Sequence, residues 1–234
     1  MISLTKLEET APALVDVAKT AAASLQKRAL DGSNMAVYLV IDRSLSMARY
    51  YADGSVQHLA GRVLALSTRL DDDGLVPLVM FDHRPYPPVG IHLTDYQGVV
   101  ADQHELHGGK PTMGRTKYAV AMDRVIGHYR SSGATGPALV VFQTDGIPND
   151  PLETEWTLRE ASRMPMFWSF VGFGTKRVAY LDSLDQLRGR AVDNASYFHA
   201  GSEPQTLSDE ALYDGITHEL PGWLNAARQL GIVR

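Results

Sequence analysis

Two hydrophobic rhythms alternate along this chain. The segments Met35-Ala36-Val37-Tyr38-Leu39-Val40-Ile41, Leu75 to Phe81, Ala138 to Phe142 and Met166 to Val171 are short apolar runs, the pattern of strands buried on both faces. Between them apolar residues recur at helical spacing. Leu14, Val17, Ala18, Ala21, Leu25 and Ala29 follow a helix start at Thr10 and Pro12; Leu59, Val63, Leu66 and Leu70 form a second stripe, and Tyr118, Met122, Val125, Ile126 and Tyr129 a third. Further helices are predicted over Tyr96 to Leu106, Leu152 to Met164 and Ser183 to Leu187, with one or two closing helices between Asp209 and Leu230. Val89 to Leu93 reads as a short edge strand and Ser196 to Phe198 as a last one, while Tyr50 to Ser55, Asp71-Asp72-Asp73-Gly74 and His107 to Pro111 read as turns or loops.

Strands alternating with helices predict an α/β fold of Rossmann-like, doubly wound type: a mostly parallel central sheet with helices on both faces and right-handed crossovers. At 234 residues and 44% hydrophobic content the chain suits one domain, with residues 1–34 as a leader helix packing on a domain spanning 35–234.

Composition narrows the chemistry. Without cysteine there is no disulfide, thiolate metal site or cysteine nucleophile, which suits a cytoplasmic setting. No stretch approaches the roughly 18 apolar residues of a membrane span, and Lys6 does not lead into an apolar signal core. A net charge of −5 with scattered basic residues gives no footprint for nucleic acid.

The chemistry concentrates where strands end. The first apolar run closes on Asp42-Arg43-Ser44-Leu45-Ser46, a carboxylate and two spaced hydroxyls, and the Ala138 strand ends in Gln143-Thr144-Asp145-Gly146. In a doubly wound sheet these ends are neighbours, so Asp42, Ser44, Ser46, Asp145 and a hydroxyl from the loop before Thr116 can converge. Oxygen donors alone suit a hard divalent cation, and neutral hydroxyls leave such an ion able to attract an anionic oxygen from outside. The same serines could instead cap the following turn while Asp42 satisfies loop amides.

Several blocks in order make the chain resemble the von Willebrand factor A (vWA) domain family, and more closely its bacterial branch found with tellurium-resistance proteins, the TerF-type vWA proteins, which is also similar to the copine domain. The blocks are Val40 to Met47, Asp53-Gly54-Ser55-Val56-Gln57, Leu70 to Gly74, Met113-Gly114-Arg115-Thr116-Lys117-Tyr118, Phe142 to Gly146 and Phe198-His199-Ala200-Gly201. The resemblance implies a vWA fold and a metal-ion-dependent adhesion site (MIDAS) at Asp42, Ser44, Ser46, Thr116 and Asp145. Thr112 is a rival for the loop hydroxyl. The implied cofactor is a divalent cation, Mg²⁺ first, with Ca²⁺ or Mn²⁺ as alternatives. The implied partner is a protein supplying an acidic residue, in a bacterial stress-response or tellurite-resistance setting that includes tellurium-resistance-type proteins. One departure is Leu45, where the family usually has glycine; Leu disfavours the positive φ that glycine permits.

Competing readings are a zinc site at His104 and His107, a dinucleotide turn at Val171-Gly172-Phe173-Gly174, and a stacking platform from Trp156, Trp168 and Trp223. The zinc pair lacks a third ligand, the glycine turn lacks the third glycine and downstream acid, and the tryptophans read as packing residues. The function expected is a non-enzymatic, metal-dependent protein-interaction module. The alternatives are a metal-dependent hydrolase or phosphoryl-transfer enzyme using Asp42 as nucleophile, and a metal-free structural domain.

Overall fold

The computed structural model describes residues 1–71 and 73–233; Asp72, inside the predicted acidic turn, lies outside the described residues. The apolar runs form β1 (Ala36–Asp42), β2 (Leu75–Phe81), β4 (Ala138–Thr144) and β5 (Met166–Phe173), and the two weaker segments form β3 (Val89–His92) and β6 (Ala195–Gly201). They make one sheet in the order β3-β2-β1-β4-β5-β6. Every pair is parallel except β2 with β3, because the short link from Phe81 to Val89 cannot house the crossover that a parallel return needs. From β1 the chain winds outward through β2 to β3, and from β4 outward through β5 to β6. The carboxyl ends of β1 and β4 therefore flank the crevice where a doubly wound sheet places its ligands.

Side chains alternate across the sheet. Val37, Leu39 and Ile41 of β1 join one core with α2 (Val15–Lys27), α4 (Ser55–Leu70), α9 (Asp209–Thr217) and α10 (Leu220–Gln229). Tyr38 and Val40 face the other, built with α6 (Tyr118–Ser131), α7 (Pro151–Ala161) and α8 (Ala179–Asp185). Each buried Val, Leu or Ile contributes on the order of 1.5–3 kcal/mol of transfer free energy, and the near-total burial of β1, β4 and β5 makes this region the rigid base for the loops above it.

The leader is two helices, not one. Ser3 accepts from the Lys6 N–H at 3.2 Å and starts α1 (Leu4–Thr10); a turn at Pro12–Leu14 then leads into α2. α1 buries only Leu7, so it leaves no apolar stripe to read. Leu7, Leu14, Ala18, Ala21 and Leu25 enter the same core as the sheet, and Asp214 of α9 receives Ser24 of α2 at 2.6 Å and Arg28, just beyond its end, at 2.7 Å. The Tyr50 to Ser55 stretch, expected as a loop, begins inside the short helix α3 (Ala48–Ala52), and Gly54, with φ 79°, turns the chain into α4. Helix α5 (Val99–Leu106) starts later than the pattern suggests. Helix α8 lies over 179–185 and not 183–187, because Leu181 and Leu184 are its buried pair. The closing segment divides at His218 and Glu219, with Pro221 in the first turn of α10.

Candidate functional site

Asp42 is the last residue of β1 and fully buried. Its Oδ1 accepts the Ser44 backbone N–H at 2.6 Å, and its Oδ2 accepts the Thr144 hydroxyl, from the end of β4, at 2.6 Å. The Ser44 and Ser46 hydroxyls lie 3.1 Å apart, and Ser46 donates to Asp145 Oδ1 at 2.7 Å. Four of the five expected residues, Asp42, Ser44, Ser46 and Asp145, thus form one chain of oxygens across the β1/β4 crevice, with Thr144 added. Burial pushes the Asp42 carboxyl up to about 7, against the pull of the Thr144 and Ser44 hydrogen bonds, and the Asp145 charge adds to the rise. Burial also raises Asp145, offset by Ser46 and by the Arg49 charge. Two desolvated carboxylates side by side make a place of negative potential.

The fifth residue, Thr116, is held by its backbone. Its N–H donates to Asn149 Oδ1 at 3.0 Å, the Asn149 N–H returns to the Thr116 carbonyl at 2.7 Å, and Lys117 N–H donates to the Asp82 carbonyl at 2.9 Å. Its loop is pinned to the Ser44 loop, since Leu45 N–H donates to the Gly114 carbonyl at 3.2 Å. Gly114 sits close beneath its neighbours: a Cβ there would meet the exposed His83 ring at 2.6 Å and the buried Asp82 side chain at 3.1 Å. Thr112 is engaged elsewhere, donating to the His107 carbonyl and accepting Arg43, each at 2.6 Å.

Leu45 lies in a 3₁₀ turn, Leu45–Met47, and is not among the residues with positive φ. The loop therefore closes without the freedom of glycine. Its side chain is 58% exposed, standing apolar beside the oxygens.

Sequence reasoning missed the network under this loop. Arg43 is fully buried and turns away from Asp42. Its Nη1 reaches Asp82 Oδ2 at 3.3 Å and the Tyr86 hydroxyl at 3.0 Å, while Nη2 reaches the His107 and Gly109 carbonyls at 2.9 and 2.8 Å. Asp82, also fully buried, accepts Tyr86 Oη at 2.7 Å. A signal existed: Asp82 follows the apolar run Leu75 to Phe81 as Asp42 follows the run Met35 to Ile41. Asp150 was also missed; its two oxygens accept the Tyr118 and Ala119 N–H groups at 2.9 and 3.1 Å and so cap α6 from another loop.

A sequence model of the vWA-TerF-like family, described as the vWA found in the TerF C terminus, matches residues 34–233. The chain belongs to the vWA-TerF-like family. Its sequence is 32% identical over 212 residues to the uncharacterized protein YcbR of Bacillus subtilis (strain 168), covering 90% of this chain and 86% of that protein. Among solved structures, manganese-loaded Plasmodium vivax TRAP protein shares 18% identity at a TM-score of 0.50, over 72% of this chain and 70% of its own. Proximal thread matrix protein 1 from the mussel byssus shares 15% at 0.54, over 79% of this chain and 48% of its own. These likenesses show the vWA fold.

Within this vWA-TerF-like domain the two histidines and two of the three tryptophans are packing residues. The His104 ring stacks on Tyr51 at 4.3 Å and that of His107 on Tyr86 at 4.0 Å, and no group of three or more His, Asp or Glu among the described residues is arranged to hold a metal. Trp168 and Trp223 are buried, whereas Trp156 is exposed. No helix among the described residues is long and apolar enough to cross a membrane. The oxygen cluster is a different kind of donor set. Ser46 gives its proton to Asp145 and keeps lone pairs for acceptance, whereas the Thr144 hydroxyl, which donates to Asp42, already accepts the Tyr118 hydroxyl at 2.9 Å; the donors that remain, Asp42, Ser44, Ser46 and Asp145, are all oxygens, the kind a hard divalent cation takes.

Proposed function

We propose that this vWA-TerF-like domain is a metal-ion-dependent protein-interaction module and not an enzyme, holding Mg²⁺, or Ca²⁺ or Mn²⁺, through Asp42, Ser44, Ser46, Thr116 and Asp145 and engaging an acidic group of a protein partner. The observation that carries this reading is the chain of hydroxyls and carboxylates around buried Asp42, whose carboxylate is hydrogen-bonded among the described residues by Ser44 and Thr144 and by no cation. A divalent ion would offset the buried charge, and its hydroxyl ligands would leave it attractive to a further carboxylate. The manganese in TRAP, a protein alike in fold, supports the class of ion. What supports the non-enzymatic reading is that no histidine or lysine among the described residues hydrogen-bonds the Asp42 or Asp145 carboxylate. A cytoplasmic, bacterial stress-response or tellurite-resistance setting belongs to the same proposal and rests on the family's TerF description. Comparing tellurite tolerance of strains with and without the gene tests that part.

Thermal unfolding tests the site. An ion at a hundred times its Kd stabilises the native state by about 2.7 kcal/mol, which raises Tm by about 5–10 °C for a chain of this size. Millimolar Mg²⁺ is expected to do this for the wild type and to leave Asp42→Ala flat. A wild type indifferent to Mg²⁺, Ca²⁺ and Mn²⁺ would overturn the reading.

A further inference from the structure

Beside the oxygen cluster, α6 and α7 run down from the same end of the sheet and leave a groove of about 470 Å³ between them. Its lining includes Val120 and Asp123 from α6, with Leu152, Glu153 and Trp156 from α7. Leu152 is 76% and Trp156 63% exposed, unlike Trp168 and Trp223, at 0% and 2%. Asp123 and Trp156 each stand five residues beyond the first residue of their helix, and so at matching depth along the groove.

The charges are equally uneven. Two other acids of α7 are paired with arginines, Glu155 with Arg159 and Glu160 with Arg163, both at 3.1 Å. Asp150, at the upper end, is occupied in capping α6. Asp123 and Glu153 have no ion pair among the described residues. Lys117, at the start of α6, marks the end nearest Thr116, and the acids lie further down.

We propose that the α6/α7 groove is a docking site for an arginine or lysine side chain of a protein partner. Its charge would sit between Asp123 and Glu153, and its aliphatic stem would lie against Trp156 and Leu152. An exposed indole flanked by carboxylates suits a cation with an apolar stem: the ring face attracts the charge, the acids neutralise it, and the methylenes cover apolar surface. A groove of this composition disfavours an acidic segment, so it complements the carboxylate-seeking metal site and does not duplicate it. The inference takes from the interaction-module reading only the class of partner; it requires no metal.

The test uses the indole N–H resonance of Trp156 in the ¹⁵N-labelled full chain, assigned with Trp156→Phe. The probe is the capped pentapeptide Gly-Leu-Arg-Leu-Gly, against the same peptide with citrulline, neutral and nearly isosteric, in place of arginine. The arginine peptide is expected to shift the resonance and to bind about five-fold or more tightly than the citrulline peptide, a difference of about 1 kcal/mol. The double variant Asp123→Asn/Glu153→Gln should remove that preference. Asp42→Ala and EDTA should leave it intact, so a failed metal site and a failed groove give different results. Equal binding of both peptides, no shift by about 10 mM peptide, weaker than any useful contact, or a shift with protein concentration alone, showing a second copy in the groove, would each overturn the proposal.

Discussion

Arg43→Met tests whether the loops around Asp42 are held from below. The substitution keeps an apolar stem of similar length but removes a guanidinium that touches Asp82, Tyr86, Thr112 and the His107 and Gly109 carbonyls. What remains is a fully buried Asp82 with the Tyr86 hydroxyl at 2.7 Å, the ring nitrogen Nδ1 of His83 at 2.9 Å and the Arg84 N–H at 3.1 Å, together with carbonyls that have lost a donor. Breaking a buried ion pair from one side costs about 3–5 kcal/mol, and at about 2–4 °C per kcal/mol for a chain of this length Tm should fall by roughly 6–20 °C. Arg43→Lys should restore less than half of the loss, since a single ammonium cannot span so many acceptors. Adding Asp82→Leu to Arg43→Met removes the stranded carboxylate, so the double variant should be more stable than the sum of the two single losses implies, with a coupling of at least 1 kcal/mol by thermal or urea unfolding. A loss below about 1 kcal/mol for Arg43→Met, or strict additivity in the cycle, would refute this account.

Other expectations follow from named contacts. Asp150→Ala leaves the Tyr118 and Ala119 N–H groups unpaired at the start of α6 and should cost about 1–2 kcal/mol in urea unfolding, most of it kept by Asp150→Asn. Gly215→Ala in α9 puts a methyl 2.3 Å from the Phe198 ring and should destabilise by about 1–3 kcal/mol; Gly127→Ala in α6, with open space around it, should stabilise by about 0.5–1 kcal/mol. Burial and the charges of Glu219 and Asp193 push the half-buried Asp185 carboxyl up to about 6. The folded state therefore binds this proton more readily than the unfolded chain, and its stability falls as pH rises from about 4 through 6. Asp185→Asn should gain on the order of 1 kcal/mol at pH 8 after allowance for solvent screening, and nothing below about pH 4; a gain that grows on acidification would contradict the assignment.

The sheet was legible because its central strands are buried on both faces and read as unbroken apolar runs, and the doubly wound order follows from the alternation with amphipathic helices. The strand-end oxygens were legible for the same reason, since a carboxylate directly after such a run has few places to go. What escaped was set by partners far away in sequence. Arg43 reads as an ordinary loop cation, yet it is buried because Asp82 and the His107 to Thr112 loop supply its acceptors. Thr144 lies within the Gln-Thr-Asp-Gly block, but its contact with Asp42 depends on β1 pairing with β4. Helices α1 and α3 bury too few residues to leave a periodic trace.

The oxygen cluster also bears on when the domain forms, not only on what it holds. Thr144 with Asp42 and Asp145 with Ser46 close separations of 102 and 99 residues, so the site has no counterpart in a chain whose β1 and β4 have not met. A ligand of this cluster can act only after that long-range closure. Where the closure comes after the folding barrier, the ligand lengthens the lifetime of the native domain without hastening its arrival.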